Sequence, residues 1–163
     1  MKIVSGNLFK ANATILVNAV NTVGVMGAGI ALQFKHKYPE MFIEYAQKCK
    51  NKELKGGDIW VWKVPNSETW ILNIATKEFW GNPSNLIWVK KGLMNLSKWL
   101  TKNAKTTDIV AIPALGCGKG ELLWETVSPL MQKALENIPC EILIFQPLIA
   151  SPVSKSGWMG QNR

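Results

Sequence analysis

The sequence predicts an α/β fold of three layers, with a mixed, mostly parallel central sheet and helices on both faces. Three observations carry this. Six short runs rich in β-branched residues recur along the chain, helical patterns fall between several of them, and runs such as "ILNIA" and "IVAIP" are apolar at every position, as strands covered on both faces must be. At 163 residues and 47% hydrophobic content, the chain has the size of one domain that can bury its own core.

In chain order, "KIVSG" reads as the first strand and "ATILVNAV" as the second, which delivers Asn18 and Asn21 into a glycine-rich loop. Helices are predicted at 28–37 and 39–50. The runs "DIWVWKV" and "TWILNIAT", joined around "PNSE", form a hairpin, so part of the sheet is antiparallel. The clearest helix lies in "SNLIWVKKGLMNLSKWL": Leu86, Val89, Leu93, Leu96 and Leu100 fall at three- and four-residue steps, and Pro83 precedes its start. The fifth strand, "DIVAIPAL", runs into a second glycine loop, a helix follows at about 125–137 with Pro129 near its first turn, and "EILIFQP" is the last strand. The expected division is one domain over 1–150 and a flexible tail or linker over 151–163.

Composition excludes several classes of function. Cys49, Cys117 and Cys140 form no paired framework and no C-x-x-C, and one histidine with two aspartates leaves a transition-metal site without ligands, which predicts a reduced cytoplasm and no metal. The apolar run at the N-terminus is too short for a signal peptide, and no segment reaches the ~20 apolar residues a bilayer requires. Without heptads or long exposed apolar runs, a monomer is the expectation. The net charge of +8 favours polyanions, although it rests on eighteen lysines and a single arginine, whereas specific phosphate clamps recruit arginine.

In open α/β sheets, ligands bind beyond the carboxyl ends of strands, at loops leading into helix N-termini. The runs "NTVGVMGAGI" and "PALGCGKGEL" read as such loops, Gly24, Gly27 and Gly29, and again Gly116, Gly118 and Gly120, allowing positive φ and close approach of N–H groups to an anion; the alternative is that they serve only turns and tight helix packing. Two such cradles suit a diphosphate. Neither is a dinucleotide or P-loop fingerprint. Lys77 closes an apolar strand, so its amine either snorkels to water or enters the crevice, where desolvation makes it a nucleophile or base. Glu78 and Glu121 are nearby carboxylates but do not make a hydrolytic pair. Cys117 has no partner histidine and reads as packing, and His36 reads as an exposed helix-end residue. Of the eight tryptophans most are expected in the core, while Trp80 is placed to wall the site or stack a base.

Read together, "ILVNAVNTVGVMGAGIALQFK", "NIATKEFW" and "IPALGCGKGELLW" resemble the macro domain family, which binds ADP-ribose, over nearly the whole chain. The similarity is closest to the DarG branch, DNA ADP-ribosyl glycohydrolases that act on thymidine bases, with the terminal ADP-ribose protein glycohydrolase as a relative. It implies a three-layer macro domain whose ADP-ribose site comprises Asn7 and Leu8 at the adenine, and Gly24, Val25, Met26, Gly27, Ala28, Gly29 and Ile30 in the first loop. Thr76, the second loop of Leu115, Gly116, Cys117, Gly118, Lys119, Gly120 and Glu121, and Phe145 complete it. By the same resemblance Lys77 and Asn21 are catalytic, Lys77 attacking C1″ or activating the nucleophile and Asn21 orienting the distal ribose.

The chain departs from the family at Asn7, where aspartate is usual, at Gly120, where the protein-directed relative has an aspartate, and in "GELLW" after the second loop. The missing aspartate tilts the implied substrate toward DNA. The implied partners are ADP-ribose, ADP-ribosylated single-stranded DNA and a DarT-like toxin, with no cofactor, no metal and no membrane. The alternatives are a non-catalytic ADP-ribose reader, an ADP-ribose 1″-phosphate phosphatase, or a hydrolase of glutamate-linked ADP-ribose.

Overall fold

A computed structural model describes residues 1–147, so the expected tail at 151–163 lies outside the described residues. The strands are β1 Lys2–Val4, β2 Ile15–Asn21, β3 Ile59–Lys63, β4 Trp70–Lys77, β5 Ile109–Pro113 and β6 Glu141–Phe145. Helices α1 Gly29–Lys37, α2 Pro39–Lys50, α3 Leu86–Asn103 and α4 Trp124–Leu135 alternate with them, and a short 3₁₀ turn covers Leu8–Lys10. The sheet runs in the order β1-β6-β5-β2-β4-β3 and is parallel except for the β3–β4 hairpin. This is the mixed three-layer arrangement expected from the sequence.

Alternation along the strands splits the apolar residues into two cores. Val17, Leu72, Ile74, Val110 and Ile112 face α3 and α4, while Leu16, Val20, Ile71 and Ala75 face α1 and α2. Helix α3 buries Val89, Leu93, Leu96 and Leu100 on the first side, each side chain contributing ~1.5–3 kcal/mol by leaving water. Its start is capped by Asn85, whose Oδ1 accepts from the N–H groups of Ile87 and Trp88. Gly92 lets α3 lie directly on β4, since any Cβ there would collide with Ile74.

Three local expectations are corrected. Pro129 sits in the second turn of α4 rather than near its first, because the helix already begins at Trp124; the cost is one missing N–H toward the exposed Glu125 turn. None of the seven described tryptophans is fully buried: six are half-buried and Trp80 is 59% exposed. Their bulk and indole N–H keep them at the core margins. Asn18 does not reach the glycine loop; it pairs in register with Asn73 on β4, its Nδ2 donating to Asn73 Oδ1 at 3.0 Å, fully buried under α2. Asn73 Nδ2 in turn donates to the Trp60 carbonyl at 3.3 Å.

Candidate active site at the carboxyl ends of the strands

A cleft of about 1260 Å³ lies along the carboxyl edge of the parallel strands. It is assembled because β5, β2 and β4 are neighbours, so the two glycine loops and the end of β4 open side by side. The register of β2 against β4 slips between Val20 and Asn21, which sets Asn21 opposite Lys77. Such an irregularity re-aims a side chain at a strand end.

Asn21 is buried, and its side chain holds the first loop. Oδ1 accepts from the N–H groups of Gly24 and Val25, both at 3.1 Å, and from the Tyr45 hydroxyl at 2.8 Å. Nδ2 donates to the Val25 carbonyl at 2.7 Å. The loop then presents Val25, Gly27, Ala28, Gly29 and Ile30 to the cleft. Ala28 precedes helix α1 and gives it no side-chain cap, so the first N–H groups of the helix and the positive end of its dipole face the opening. Gly24 and Met26 do not line the cleft: Gly24 packs on Ala46 and Cys49 of α2, and Met26 is buried in the core.

Across the cleft, Gly116, Cys117, Gly118, Lys119 and Gly120 form the second wall, while Leu115 is buried in the core beneath it and Glu121 stays exposed outside the lining. The glycines do not all serve one purpose. Gly29 and Gly116 take positive φ, +59° and +74°, but Gly27, Gly118 and Gly120 do not. Gly120 is required instead by close approach, since any Cβ would strike Ser84 Oγ and the Gly116 carbonyl. A carboxylate therefore has no room at this position. A Cβ on Gly29 would lie 3.6 Å from Lys119 Cγ, so the two loops meet across the cleft.

Lys77 is half-buried, with Nζ donating to the carbonyls of Asn82 at 3.1 Å and of Trp80 and Lys119 at 3.3 Å. All three ammonium protons thus have acceptors. Burial pushes the amine below the ordinary lysine value of 10.5, and the Glu121 carboxylate opposes the shift. Thr76, buried beside it, accepts from Ser84 Oγ at 3.4 Å. Burial drives the Cys117 thiol up to about 11, so it is no thiolate nucleophile at neutral pH.

At the far end, Asn7, Leu8 and Phe145 line the cleft. Asn7 Oδ1 caps the 3₁₀ turn through the Phe9 N–H at 2.9 Å, leaving the Asn7 amide Nδ2 for a ligand. Sequence reasoning missed Ser84 and Gln33, which also line the cleft, and Tyr45, which reaches the site only through Asn21. Ser84 carried a signal in its place between the Lys77 turn and α3; Tyr45 carried none, being one apolar step in the buried stripe Met41, Tyr45, Cys49.

The Macro domain family model matches residues 17–131. The chain belongs to the macro domain family. It is 40% identical over 146 residues to the DNA ADP-ribosyl glycohydrolase of Mycobacterium tuberculosis, an alignment covering 88% of this chain and 41% of the relative. A solved macrodomain of Mycobacterium tuberculosis DarG superposes with a TM-score of 0.83 at 39% identity, covering 90% of this macro domain chain and 99% of the other. Thermosipho africanus DarTG in complex with ADP-ribose gives a TM-score of 0.82 at 34% identity, covering 90% of this chain and 41% of that one. The macro domain chain thus spans about two fifths of the length of the first curated relatives it matches.

Proposed function

We propose that this macro domain is an ADP-ribosyl glycohydrolase that removes ADP-ribose from thymidine bases of single-stranded DNA, reversing the action of a DarT-like toxin. The observation that carries the reading is the position of the Lys77 ammonium at the same rim as both glycine loops, bonded to the Lys119 carbonyl of the second. The likeness to DNA ADP-ribosyl glycohydrolases, and to a structure holding ADP-ribose, supports the choice of ligand.

From β1 to β4 the sheet crosses four inter-strand steps, about 19 Å at ~4.8 Å each, which suits an elongated ligand. In this reading adenine lies at Asn7, Leu8 and Phe145. The diphosphate lies between the uncapped start of α1 and the second loop, stabilised by backbone N–H groups. The distal ribose then falls between Asn21 and Lys77, with C1″ toward the amine. Lys77 loses its proton to solvent, which its burial favours, and either attacks C1″ or takes a proton from the water that does. The glycosidic bond pair leaves on the base nitrogen, which is protonated from solvent, and a lysine adduct, if formed, is released by water. Gly120 leaves no space for a carboxylate to assist Lys77 from this position, which favours a base over a glutamate ester as the attached group.

A second reading has its own observation: the three carbonyls around Lys77 make it a brace between loops, as a non-catalytic reader of ADP-ribose would use it. Turnover separates the two. Lys77→Ala should lose roughly 10²–10⁴-fold in base release from an ADP-ribosylated oligonucleotide while still binding ADP-ribose. Equal rates for parent and variant would leave the reader.

A further inference from the structure

Directly after Lys77 the chain exposes two large aromatic side chains. Phe79 and Trp80 are 44% and 59% exposed, and their rings lie 5.1 Å apart between centroids at an interplanar angle of 34°. Neither side chain belongs to either core. Trp80 lines the cleft, and its carbonyl accepts from Lys77 Nζ at 3.3 Å, so the indole is carried by the same turn that anchors the amine. Gly81 packs against the Phe79 ring, where a Cβ would lie 3.5 Å from the ring edge. The cleft, about 1260 Å³, also exceeds the ~300–1,000 Å³ of ordinary small-molecule sites, leaving room for more than the ligand alone.

We propose that Phe79 and Trp80 form a stacking platform for the nucleobase attached to C1″ of the bound ADP-ribose. This rests on the reading of the cleft given under Proposed function. Two exposed, mutually tilted rings offer flat apolar surface to a flat π-system, and every base has such a face. A glutamate side chain has none. The two rings directly follow Lys77 at the end of β4, Trp80 inside the cleft lining and Phe79 beside it, so with C1″ at the amine as proposed above, a base stacked there keeps its glycosidic bond beside Lys77. Because stacking tolerates any base, the platform supplies affinity for the modified strand and leaves the identity of the base to other contacts.

The test uses the full chain with Phe79→Ala, Trp80→Ala and Trp80→Phe, assayed for base release from an ADP-ribosylated oligonucleotide and for binding of free ADP-ribose. The platform predicts a KM for the oligonucleotide raised roughly 5- to 150-fold in each alanine variant, the range of one lost base stack. It also predicts unchanged affinity for ADP-ribose and recovery of most of the loss in Trp80→Phe. Alanine variants that match the parent on the oligonucleotide overturn it, as does an equal loss of affinity for free ADP-ribose. If the parent itself releases no base, the glycohydrolase reading fails and the platform with it; a parent that cleaves with unaffected variants sinks the platform alone.

Discussion

Asn21 Oδ1 accepts from two loop N–H groups, and the single Tyr45 hydroxyl proton is shared between that oxygen at 2.8 Å and the Asn21 main-chain carbonyl at 2.6 Å, so replacing the side chain disturbs loop and site together. Asn21→Ala should destabilise the fold, each buried donor left without a partner costing ~1–3 kcal/mol, and thermal unfolding followed by circular dichroism would register the drop. Tyr45→Phe keeps the ring and removes one donor, so its cost should be only ~0.5–1.5 kcal/mol by the same measurement. On the mechanism proposed above the reactive form of Lys77 is the neutral amine, and burial lowers its pKa; kcat should then rise with pH and level off below the ordinary lysine value. A pH–rate profile with no rise toward that plateau, the rate staying level or falling from acid to alkaline pH, would contradict a lysine that must lose its proton. At this scale Lys77 is legible in the sequence, because a charge that closes an apolar strand must either reach back to water or sit in the crevice beyond it. Tyr45 is not, since its hydroxyl acts on a strand end that is near only in the folded chain.

Gly92 illustrates how an element depends on a missing atom. Gly92→Ala should gain helix propensity yet lose ~1–3 kcal/mol net from overpacking against the stiff Ile74, readable as a lower urea midpoint at unchanged slope. The strands and long helices are legible because their periodicities are local. The range expected for α2, 39–50, coincides with Pro39–Lys50, where proline occupies the first turn as its missing N–H permits. The 3₁₀ turn at Leu8–Lys10 is not legible, since three residues held by an Asn7 cap leave no period to read. The glycine loops can be read as loops, but not the division of labour within them. Gly24 packs against α2 and Gly120 against Ser84, contacts set by elements distant in sequence.

Across the whole molecule, nineteen basic side chains outnumber eleven acidic ones, for a net charge of +8, and among the described residues two ion pairs form, Lys2–Glu141 and Lys91–Asp58, both on the surface. Affinity for an ADP-ribosylated oligonucleotide should therefore fall with added salt more steeply than affinity for free ADP-ribose, with log K linear in log salt for the strand. Parallel slopes for the two ligands would remove the lysine surface from DNA binding. Strand order cannot be read from the chain, because β1 lies beside β6 and β2 between β5 and β4, partners far apart in sequence. The buried amide pair of Asn18 and Asn73 constrains that order further. Sliding β2 past β4 by one residue would part the two amides inside a dry layer and turn every side chain of β2 to the opposite face. The pair thus acts as an indexing pin: a hydrophobic swap there could leave the domain folded, yet free the strand ends that bring amide and amine face to face to drift out of alignment.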